Sequence, residues 1–462
     1  MTYDCIIIGG GLSGLAAGIR LAHFGRKICI LEKHSRLGGL NSHYTKKGFD
    51  IDSGLHAMTN FTSKSGPKSA PLAKLLRQLR IGYDELELRE QNHSLIRFPG
   101  VSLKFTNDFE FLRTEIQNKF KDDFEGFIKL DNFLSNYDSL NLSSDFVSAR
   151  KVVSEHIGSP LLTDMLFCPL MYYGSAVEND MDFAQFAIMY RSIFKEGFCR
   201  PAEGIVTLLD LLENRIAESG GEIRKNCGVR RIFSKNGIAE AVELESGETV
   251  SAKNILSSAG HIETLSLCEN KPANFADIPR GQMAFVETVG ILDSPLPGYE
   301  STIIFFNSSE KFHYRNPEGA IDGRSGVICC PNNFQFQPSD PRPAPMIRIT
   351  VLANHQLWDK YPPDEYKTLK NGCSEKTLSI ASEYTGVADL RGKVKLIDTF
   401  TPKTITRYTG HINGAVYGCP EKVKDGRTHL GNVFLCGTDQ GFLGITGSML
   451  SGISIANLHL LK

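Results

Sequence analysis

The sequence predicts an α/β fold: a Rossmann-like domain assembled from separate chain segments, with a discontinuous second domain that combines a mixed sheet and a helical cap. Three observations predict it. The chain opens with a strand, a glycine turn and a helix within residues 3–32. An α/β pattern returns at about residue 205, after a helical segment rich in Phe, and the chain closes on a further strand, glycine cluster and helix. Alternating strands and helices are typical of a parallel sheet covered by helices, and the interruption makes both domains discontinuous.

The predicted domain boundaries follow these changes in pattern. The Rossmann-like domain comprises residues 1–90, 200–271 and 396–462. Residues 91–199 form the helical cap, and residues 272–395 form the β-rich part of the second domain. At roughly 150 residues per domain, a chain of 462 residues has room for about three such units.

The opening unit is defined by its hydrophobic periodicity. Residues 3–8 are a continuous apolar run, as in a parallel strand that is buried on both faces. Apolar residues then recur at helical spacing from Leu12 to Ala22, Gly25 ends the helix, and residues 27–32 form the second strand. The sequence therefore predicts a βαβ unit with a glycine-rich first turn.

The glycine turn, residues 9–14, reads Gly-Gly-Gly-Leu-Ser-Gly and fits the GxGxxG pattern. Gly9 permits the tight turn, Gly11 lets a pyrophosphate approach the backbone, and Gly14 lets the helix pack closely on the strand. Glu32, at the end of the second strand, is the acid expected to bind a pair of ribose hydroxyls. Turn and acid together predict a dinucleotide site.

The middle of the chain changes character twice. Residues 107–189 are typical of cap helices, with apolar pieces broken by Pro169 and Gly174. An amphipathic helix is predicted at residues 205–219, and a closing helix at residues 447–460. The strands predicted after residue 219 are residues 222–224, 229–233, 239–244, 254–257, 282–292, 302–306, 326–330, 346–353 and 433–436.

Composition narrows the class of protein. Lys plus Arg is 51 and Asp plus Glu is 52, so the net charge of −1 argues against a nucleic-acid partner. The 11 Cys form no CxxC and no Cys/His cluster at metal-ligand spacing, which predicts no metal site and a reducing, cytoplasmic compartment. The N-terminus lacks the basic region of a signal peptide. Residues 440–461 carry no Asp, Glu, Lys or Arg, but their four Gly and three Ser favour a buried helix start over a membrane span.

Residues 9–39, followed by residues 48–54, resemble a family of flavoproteins. The family includes bacterial-type phytoene desaturases, carotenoid isomerases, retinol saturases and, more distantly, amine oxidases. Stretches within residues 200–232, 401–418 and 436–452 resemble its later motifs, so the resemblance reaches both ends of the chain. It implies an FAD cofactor, and because the closing helix holds no Cys, we expect the FAD to be held noncovalently.

The resemblance and the glycine motif together predict the residues that bind the cofactor. They are Gly9, Gly11, Leu12, Ser13, Gly14, Glu32, Lys33, Arg36, Gly38, Gly39, Leu40, Val229, Gly437, Asp439, Gly444, Ile445 and Thr446. The resemblance implies that Val229 meets the adenine through its backbone. Arg36 is either a pyrophosphate partner or a surface arginine, and Asp439 either accepts from a ribityl hydroxyl or serves as a turn residue.

The family resemblance also implies the chemistry, which is to make, reduce or isomerise a C=C bond. Such an enzyme needs few titratable residues, because the cofactor carries the hard step and the protein orients the substrate. No Ser/His/Asp arrangement stands out, so the catalytic residues stay unassigned. Arg407, Tyr408 and Tyr417 are the polar candidates nearest the late motif, with packed wall tyrosines as the alternative.

The Phe-rich cap suggests the substrate. Its aromatic residues either line a tunnel for a long carotenoid, isoprenoid or fatty-acyl chain, or form the core of the cap. Because such chains reside in membranes, we expect peripheral contact with the inner membrane face. The electron acceptor is left open between oxygen, a quinone and NAD(P).

Two other classes of protein share the motifs. A flavin amine oxidase has the same cofactor fingerprints, although residues 401–402 and 414–418 are more similar to the desaturase branch. An isoprenoid-binding escort protein has the same fold without a flavin. The intact glycine clusters and Glu32 favour retention of the flavin.

Overall fold

A computed structural model describes residues 2–54, 56–63, 66–67 and 69–462. Its strands, in chain order, are β1 (Thr2–Ile8), β2 (Ile28–Leu31), β3 (His43–Lys46), β4 (Phe49–Asp52), β5 (Leu88–Glu90), β6 (Ser94–Phe98), β7 (Val101–Phe105), β8 (Cys199–Pro201), β9 (Glu222–Arg224), β10 (Val229–Lys235), β11 (Ile238–Leu244), β12 (Thr249–Ser257), β13 (Ala284–Leu292), β14 (Ile303–Asn307), β15 (Ile321–Cys329), β16 (Met346–Ala353), β17 (Val394–Phe400) and β18 (Val433–Leu435).

The α-helices are α1 (Leu12–His23), α2 (Pro71–Gln78), α3 (Phe109–Lys119), α4 (Phe124–Asn136), α5 (Ala149–Ser154), α6 (Pro160–Gly174), α7 (Phe183–Tyr190), α8 (Ile205–Glu218), α9 (His261–Leu267), α10 (His355–Lys360), α11 (Pro363–Thr385), α12 (Pro402–Thr409) and α13 (Gly444–Ile455). Within the described residues, no helix combines the length and the apolar character that crossing a membrane requires.

The first sheet is the nucleotide-binding type that the sequence predicts. Strands β9, β2, β1, β12 and β18 run parallel, and the antiparallel pair β10–β11 extends the sheet beside the first half of β12. β1 is buried over Cys5–Ile8 because Cys5 and Ile7 pack with residues of α1, α8 and α13, whereas Ile6 and Ile8 pack with residues of β10 and β11. The carboxyl ends of β1, β2 and β18 meet at one edge, where ligands bind in open α/β sheets. The α/β class of the fold is thereby confirmed.

The second sheet is mixed and has the strand order β17-β13-β16-β15-β14-β6-β7. All its neighbours pair antiparallel except β14 and β6. The cap helices α3 to α7 share one apolar core with the near strands of this sheet. Two short ribbons, β3–β4 and β5–β8, lie outside both sheets.

Two features of the second domain differ from the predicted pattern. β6 and β7 lie in the segment for which the sequence predicts a helical cap, and β17 crosses the predicted boundary at residue 396 while pairing with β13. The domain boundaries themselves stay a prediction.

The break that the sequence predicts at Pro169 is wrong. Helix α6 runs through Pro169 and ends at Gly174, with residues 162–172 all buried. A proline inside a helix loses one backbone hydrogen bond, but burial of the surrounding turns on every side offsets that loss.

The closing helix also differs from its predicted bounds. It begins at Gly444, three residues before the predicted start at Gly447. After Ile455 the backbone continues as a π-helical turn, Ala456–Leu460. The helix start therefore lies nearer the cavity than the sequence predicts.

Candidate functional site

The glycine turn after β1 has the geometry that a phosphate cradle needs. Gly9 has a φ of +95°, which favours glycine, and a Cβ on Gly14 would stand 2.2 Å from the carbonyl oxygen of Gly9. A Cβ on Gly11 would meet nothing within 4 Å. Two of the glycines are thus required by packing, whereas Gly11 keeps open the space in front of the N-terminus of α1, where an anion is favoured.

The second glycine cluster packs directly against the first. The backbone N–H of Gly38 donates to the carbonyl oxygen of Gly10 at 2.9 Å, and a Cβ on Gly39 would lie 3.4 Å from Cα of Gly11. The chain therefore closes one side of the cradle with backbone alone. Residues predicted from two separate motifs meet here.

Glu32 lies at the end of β2 with its carboxylate buried but on the wall of the central cavity. Its Oε2 accepts from the backbone N–H of Gly10 at 2.7 Å, and its Oε1 accepts from the N–H of His34 at 2.8 Å. Each carboxylate oxygen has a further lone pair. The carboxylate is thus fixed and can accept hydrogen bonds from a pair of ribose hydroxyls.

The closing segment packs on the same cradle. A Cβ on Gly437 would lie 3.0 Å from Oγ of Ser13, and a Cβ on Gly452 would lie 2.0 Å from the carbonyl oxygen of Ser13, so α13 touches α1 without intervening side chains. The first turn of α13 faces the cavity through Gly444 and Ile445. A helix N-terminus with free N–H groups favours negative charge at that place.

A cavity of about 950 Å³ opens between this edge of the first sheet and the second sheet. Its inner wall is largely aromatic and comes from α6, β13 and the segment after α12. The wall residues are Tyr172, Tyr173, Phe285, Val416 and Tyr417. The sequence-predicted residues that line the cavity are Glu32, Arg36, Gly39, Leu40, Gly444, Ile445, Arg407, Tyr408 and Tyr417.

The predicted polar candidates stand at different depths. Arg407 and Tyr408 lie at the exposed mouth, and Tyr408 is 54% exposed. Tyr417 lies deep, donates its hydroxyl hydrogen bond to the carbonyl oxygen of Tyr172, and has a raised pKa because it is buried. Arg36 donates to the backbone carbonyl of His43 at 2.6 Å.

Several predicted residues lie outside the cavity wall. Asp439 is buried, and its carboxylate accepts from the backbone N–H groups of His261 and Cys419, at 2.5 and 2.6 Å. Lys33 is exposed and lies 3.5 Å from Glu245. The remaining members of this group are Gly9, Gly11, Leu12, Ser13, Gly14, Gly38, Val229, Gly437 and Thr446.

Most of the Phe-rich cap forms a core. Phe127, Phe167, Phe183 and Phe186 are fully buried among the cap helices. Of the cap residues 91–199, only Tyr172 and Tyr173 at the end of α6 line the cavity. The wall is therefore built by one helix and the second sheet rather than by the whole cap.

The sequence analysis missed a charged cluster on the cavity wall. His56 Nε2 lies 3.2 Å from Oε1 of Glu287 and 3.1 Å from Oγ1 of Thr350. Arg348 donates from Nε to the same Glu287 oxygen at 2.6 Å, and from Nη1 to the carbonyl oxygen of Asp52 at 2.8 Å. Among these, His56, Glu287 and Thr350 line the cavity.

Electrostatics keeps Glu287 ionised. Burial by itself would raise its pKa, but the charge of Arg348 and the contacts with His56 outweigh burial and lower the pKa to about 2. The signal for this cluster was present in the sequence. A single Glu and a single Arg each interrupt an otherwise apolar strand, β13 and β16, and a buried charge in such a place needs a partner.

The fold and the cradle define a dinucleotide-binding protein, with a cavity beside the cradle whose inner wall is largely aromatic. The chain belongs to the family described as flavin containing amine oxidoreductase, whose model matches residues 12–366. It is thus an FAD-dependent oxidoreductase, which confirms the cofactor and the enzyme class that the sequence predicts. None of the described residues that line the cavity is a cysteine.

Relatives with assigned activities cover most of the chain at low identity. A 4,4'-diaponeurosporene oxygenase of Staphylococcus haemolyticus is 24% identical over 446 residues, which are 89% of this chain and 86% of the relative. A chloroplastic prolycopene isomerase of Daucus carota is 22% identical over 464 residues, 92% of this chain and 73% of the relative. The predicted family resemblance is thereby confirmed.

Solved structures share the fold. An oxidoreductase from Methanosarcina mazei superposes with a TM-score of 0.64 at 16% identity, covering 98% of this chain and 99% of the other. A putrescine oxidase with putrescine bound superposes with a TM-score of 0.62 at 14% identity, covering 99% and 98%. At such identities the likeness concerns the fold.

Proposed function

We propose that this enzyme forms, reduces or isomerises C=C bonds in a long hydrophobic chain, with carotenoids as the first substrate class to test. The observation that carries the proposal is the cavity of about 950 Å³, whose inner wall is aromatic and whose floor is the N-terminus of α13. A long apolar chain gains roughly 25 cal/mol for each Å² of its surface removed from water. The carotenoid names of the sequence relatives support the same class.

The FAD is held by backbone more than by side chains in this proposal. The turn at residues 9–14 receives the pyrophosphate, with Arg36 and the second glycine cluster beside it. Glu32 binds the ribose of the adenosine half, and Val229 and Lys33 lie toward the adenine. Gly437, Asp439 and residues 444–446 hold the ribityl and flavin half, the buried Asp439 by fixing the turn through its two backbone hydrogen bonds.

The residues of this chain orient and enclose the substrate. A bound FAD supplies the hydride acceptor or donor. Phe285 and Tyr417 offer ring faces and edges to an apolar chain, and their centroids lie 5.8 Å apart. Because burial raises the pKa of Tyr417 and of Tyr173, both phenols stay neutral and keep the wall uncharged.

The test begins with the purified protein. Its visible spectrum is expected to show two flavin bands, and acid denaturation is expected to release FAD. Prolycopene and 4,4'-diaponeurosporene, each in phosphatidylcholine vesicles, are then added anaerobically, and flavin bleaching and carotenoid products are followed. A colourless protein that takes up no FAD would favour the isoprenoid-binding escort protein instead. A flavoprotein that leaves both carotenoids unchanged but is bleached by putrescine would favour the amine oxidase.

The reoxidation partner and the membrane are part of the same proposal. Oxygen, a quinone and NAD(P)⁺ are compared as acceptors for the reduced enzyme by the rate at which the flavin bands return. Five of the eight exposed large apolar side chains among the described residues fall in the cap, namely Phe111, Phe133, Leu140, Phe146 and Val147. Large apolar side chains in water favour an interface, so we expect this enzyme to float with anionic vesicles and to release in part at high salt.

A further inference from the structure

An imidazole on the cavity wall has one hydrogen-bonded nitrogen and one free nitrogen. His56 follows β4, and its side chain is 14% exposed, to the cavity. Its Nε2 is held by Glu287 and Thr350. The other ring nitrogen, Nδ1, has no hydrogen-bond partner among the residues that the structure describes.

The hydrogen on this ring is placed by chemistry. Glu287 is ionised, and an ionised carboxylate only accepts hydrogen bonds. Nε2 therefore carries the hydrogen and donates it toward Glu287, which leaves the lone pair on Nδ1. A histidine oriented through one nitrogen by a carboxylate, with the other nitrogen free, is an arrangement typical of general acid–base catalysis.

The charges around His56 come in opposite pairs. Around His56 lie Glu287 on β13 and Arg348 on β16, and Arg200 on β8 pairs with Asp52 on β4 at 3.1 Å. These two carboxylates and two guanidiniums cancel. The thiol of Cys329 donates to the backbone carbonyl oxygen of His56 and stays neutral, because burial raises its pKa to about 12. Of these groups, Glu287 is thus the one whose charge meets the ring of His56 directly.

We infer that His56 is the proton acceptor and donor of the C=C chemistry, acting through Nδ1, and that Glu287 is the residue that positions it. The inference rests on the proposed function. In desaturation, one C–H bond of the chain would break and its electron pair would leave as hydride, which a bound FAD would accept. The neighbouring C–H bond breaks toward Nδ1, its electron pair becomes the second bond of the C=C, and the proton passes from the imidazole to solvent. Saturation is the same transfer in reverse.

The variants separate the acid–base role from the fold. His56→Gln removes the proton acceptor, and His355→Gln is the matched control, because His355 is a buried histidine whose Nε2 is hydrogen-bonded to Gln282 outside the cavity. Glu287→Gln tests positioning. The single variant Glu287→Gln leaves Arg348 buried without its partner and can lose stability for that reason. The double variant Glu287→Gln/Arg348→Met removes both charges together, so it tests positioning without an unpaired buried charge.

The first readout is catalytic and uses the FAD-loaded enzyme with prolycopene and 4,4'-diaponeurosporene in vesicles. His56→Gln is expected to keep the flavin spectrum and FAD affinity but to lose about 100-fold or more in kcat, with little change in KM. His355→Gln is expected to match the wild type. A His56→Gln enzyme with the wild-type kcat overturns the inference.

The second readout needs no turnover. In protein labelled with ¹⁵N-histidine, the ring signals absent from His56→Gln belong to His56, and their shifts report which nitrogen carries the hydrogen. We expect the hydrogen on Nε2 in the wild type and a changed distribution of the hydrogen between the two nitrogens in the Glu287 variants. A wild-type ring with its hydrogen on Nδ1, or a ring whose hydrogen keeps the same place without Glu287, overturns the inference. A wild type that binds no FAD overturns the proposed function, and this readout on the same protein still decides the acid–base pair.

Discussion

At the scale of single residues, the candidate site depends on glycines, which have no side chain, as much as on the side chains of other residues. Gly14 is glycine because its neighbour Gly9 leaves no room for a methyl group, whereas Gly11 is glycine although room exists. Packing explains Gly14, and the proposed approach of a pyrophosphate to the backbone would explain Gly11. The two glycines of one motif therefore predict different consequences when each is replaced by alanine.

Gly11→Ala is expected to fold normally and to bind FAD at least about tenfold more weakly, because its new methyl group occupies the space through which the pyrophosphate approaches the backbone. Its φ of −71° suits alanine, so the melting temperature of the apoprotein should equal that of the wild type. Gly14→Ala is expected to lose about 1–3 kcal/mol of stability or more, since the methyl group meets a backbone oxygen. Thermal melts and FAD titration measure both. Equal loss of stability in the two variants would contradict this division.

The fall in the free energy of unfolding at acidic pH should depend on Glu287. Its pKa in the folded protein is about 2 against an ordinary value of 4.5, so the folded state favours the ionised form. This contribution, on the order of 3 kcal/mol, is present above pH 4.5 and is lost as the pH falls from 4.5 toward 2. Urea unfolding of the wild type and of Glu287→Gln/Arg348→Met at pH 7, 5 and 3.5 measures it. We expect the wild type to lose more stability over that range than the double variant, and parallel losses would show that the pair contributes nothing.

At the scale of elements, local periodicity predicts the strands and helices well but holds no information on the distant residues that pack around them. Helix α1 has the bounds that its apolar spacing indicates, from Leu12 to the turn at Gly25. The predicted helix break at Pro169 was wrong, because the burial that offsets the lost hydrogen bond of this proline comes from elements far along the chain. The cluster of His56, Glu287 and Arg348 was missed for the same reason, since its members are separated by more than 60 residues and only the sheet brings them together.

The contact between helices α1 and α13 gives a second test at this scale. Gly452→Ala places a methyl group 2.0 Å from the carbonyl oxygen of Ser13, so the helices must separate and we expect a loss of about 1–3 kcal/mol together with weaker FAD binding. Gly372→Ala, in α11, is the matched control. Its methyl group would meet nothing within 4 Å, and alanine in a helix is favoured over glycine by up to about 1 kcal/mol. Destabilisation of both variants alike would rule out close packing as the cause.

At the scale of the whole molecule, the proposed cofactor site is built from three distant parts of the chain. The sequence alone predicts the cradle, Glu32 and the closing glycines, because each follows a strand of a recognisable parallel sheet. It does not predict the cavity wall, which is made by the second sheet and by the end of α6, where no local motif marks a residue as lining. Predictions from motifs thus reach the cofactor half of the site and stop before the substrate half.

In the proposed site, residues 9–14, 32–40 and 437–446 come together on FAD, so the cofactor should stabilise the molecule as a whole. FAD at 100 times its Kd is expected to add about 2.7 kcal/mol to the free energy of unfolding and to raise the melting temperature, as a single cooperative shift. FMN lacks the adenosine that Glu32 would bind and the second phosphate of the cradle, so at equal concentration it should raise the melting temperature little. Differential scanning calorimetry of the apoprotein with each flavin checks this, and Gly11→Ala should remove most of the FAD shift. An equal rise in melting temperature with FMN would show that the protein binds only the flavin half of the cofactor. The glycine turn and Glu32 would then not be part of the site.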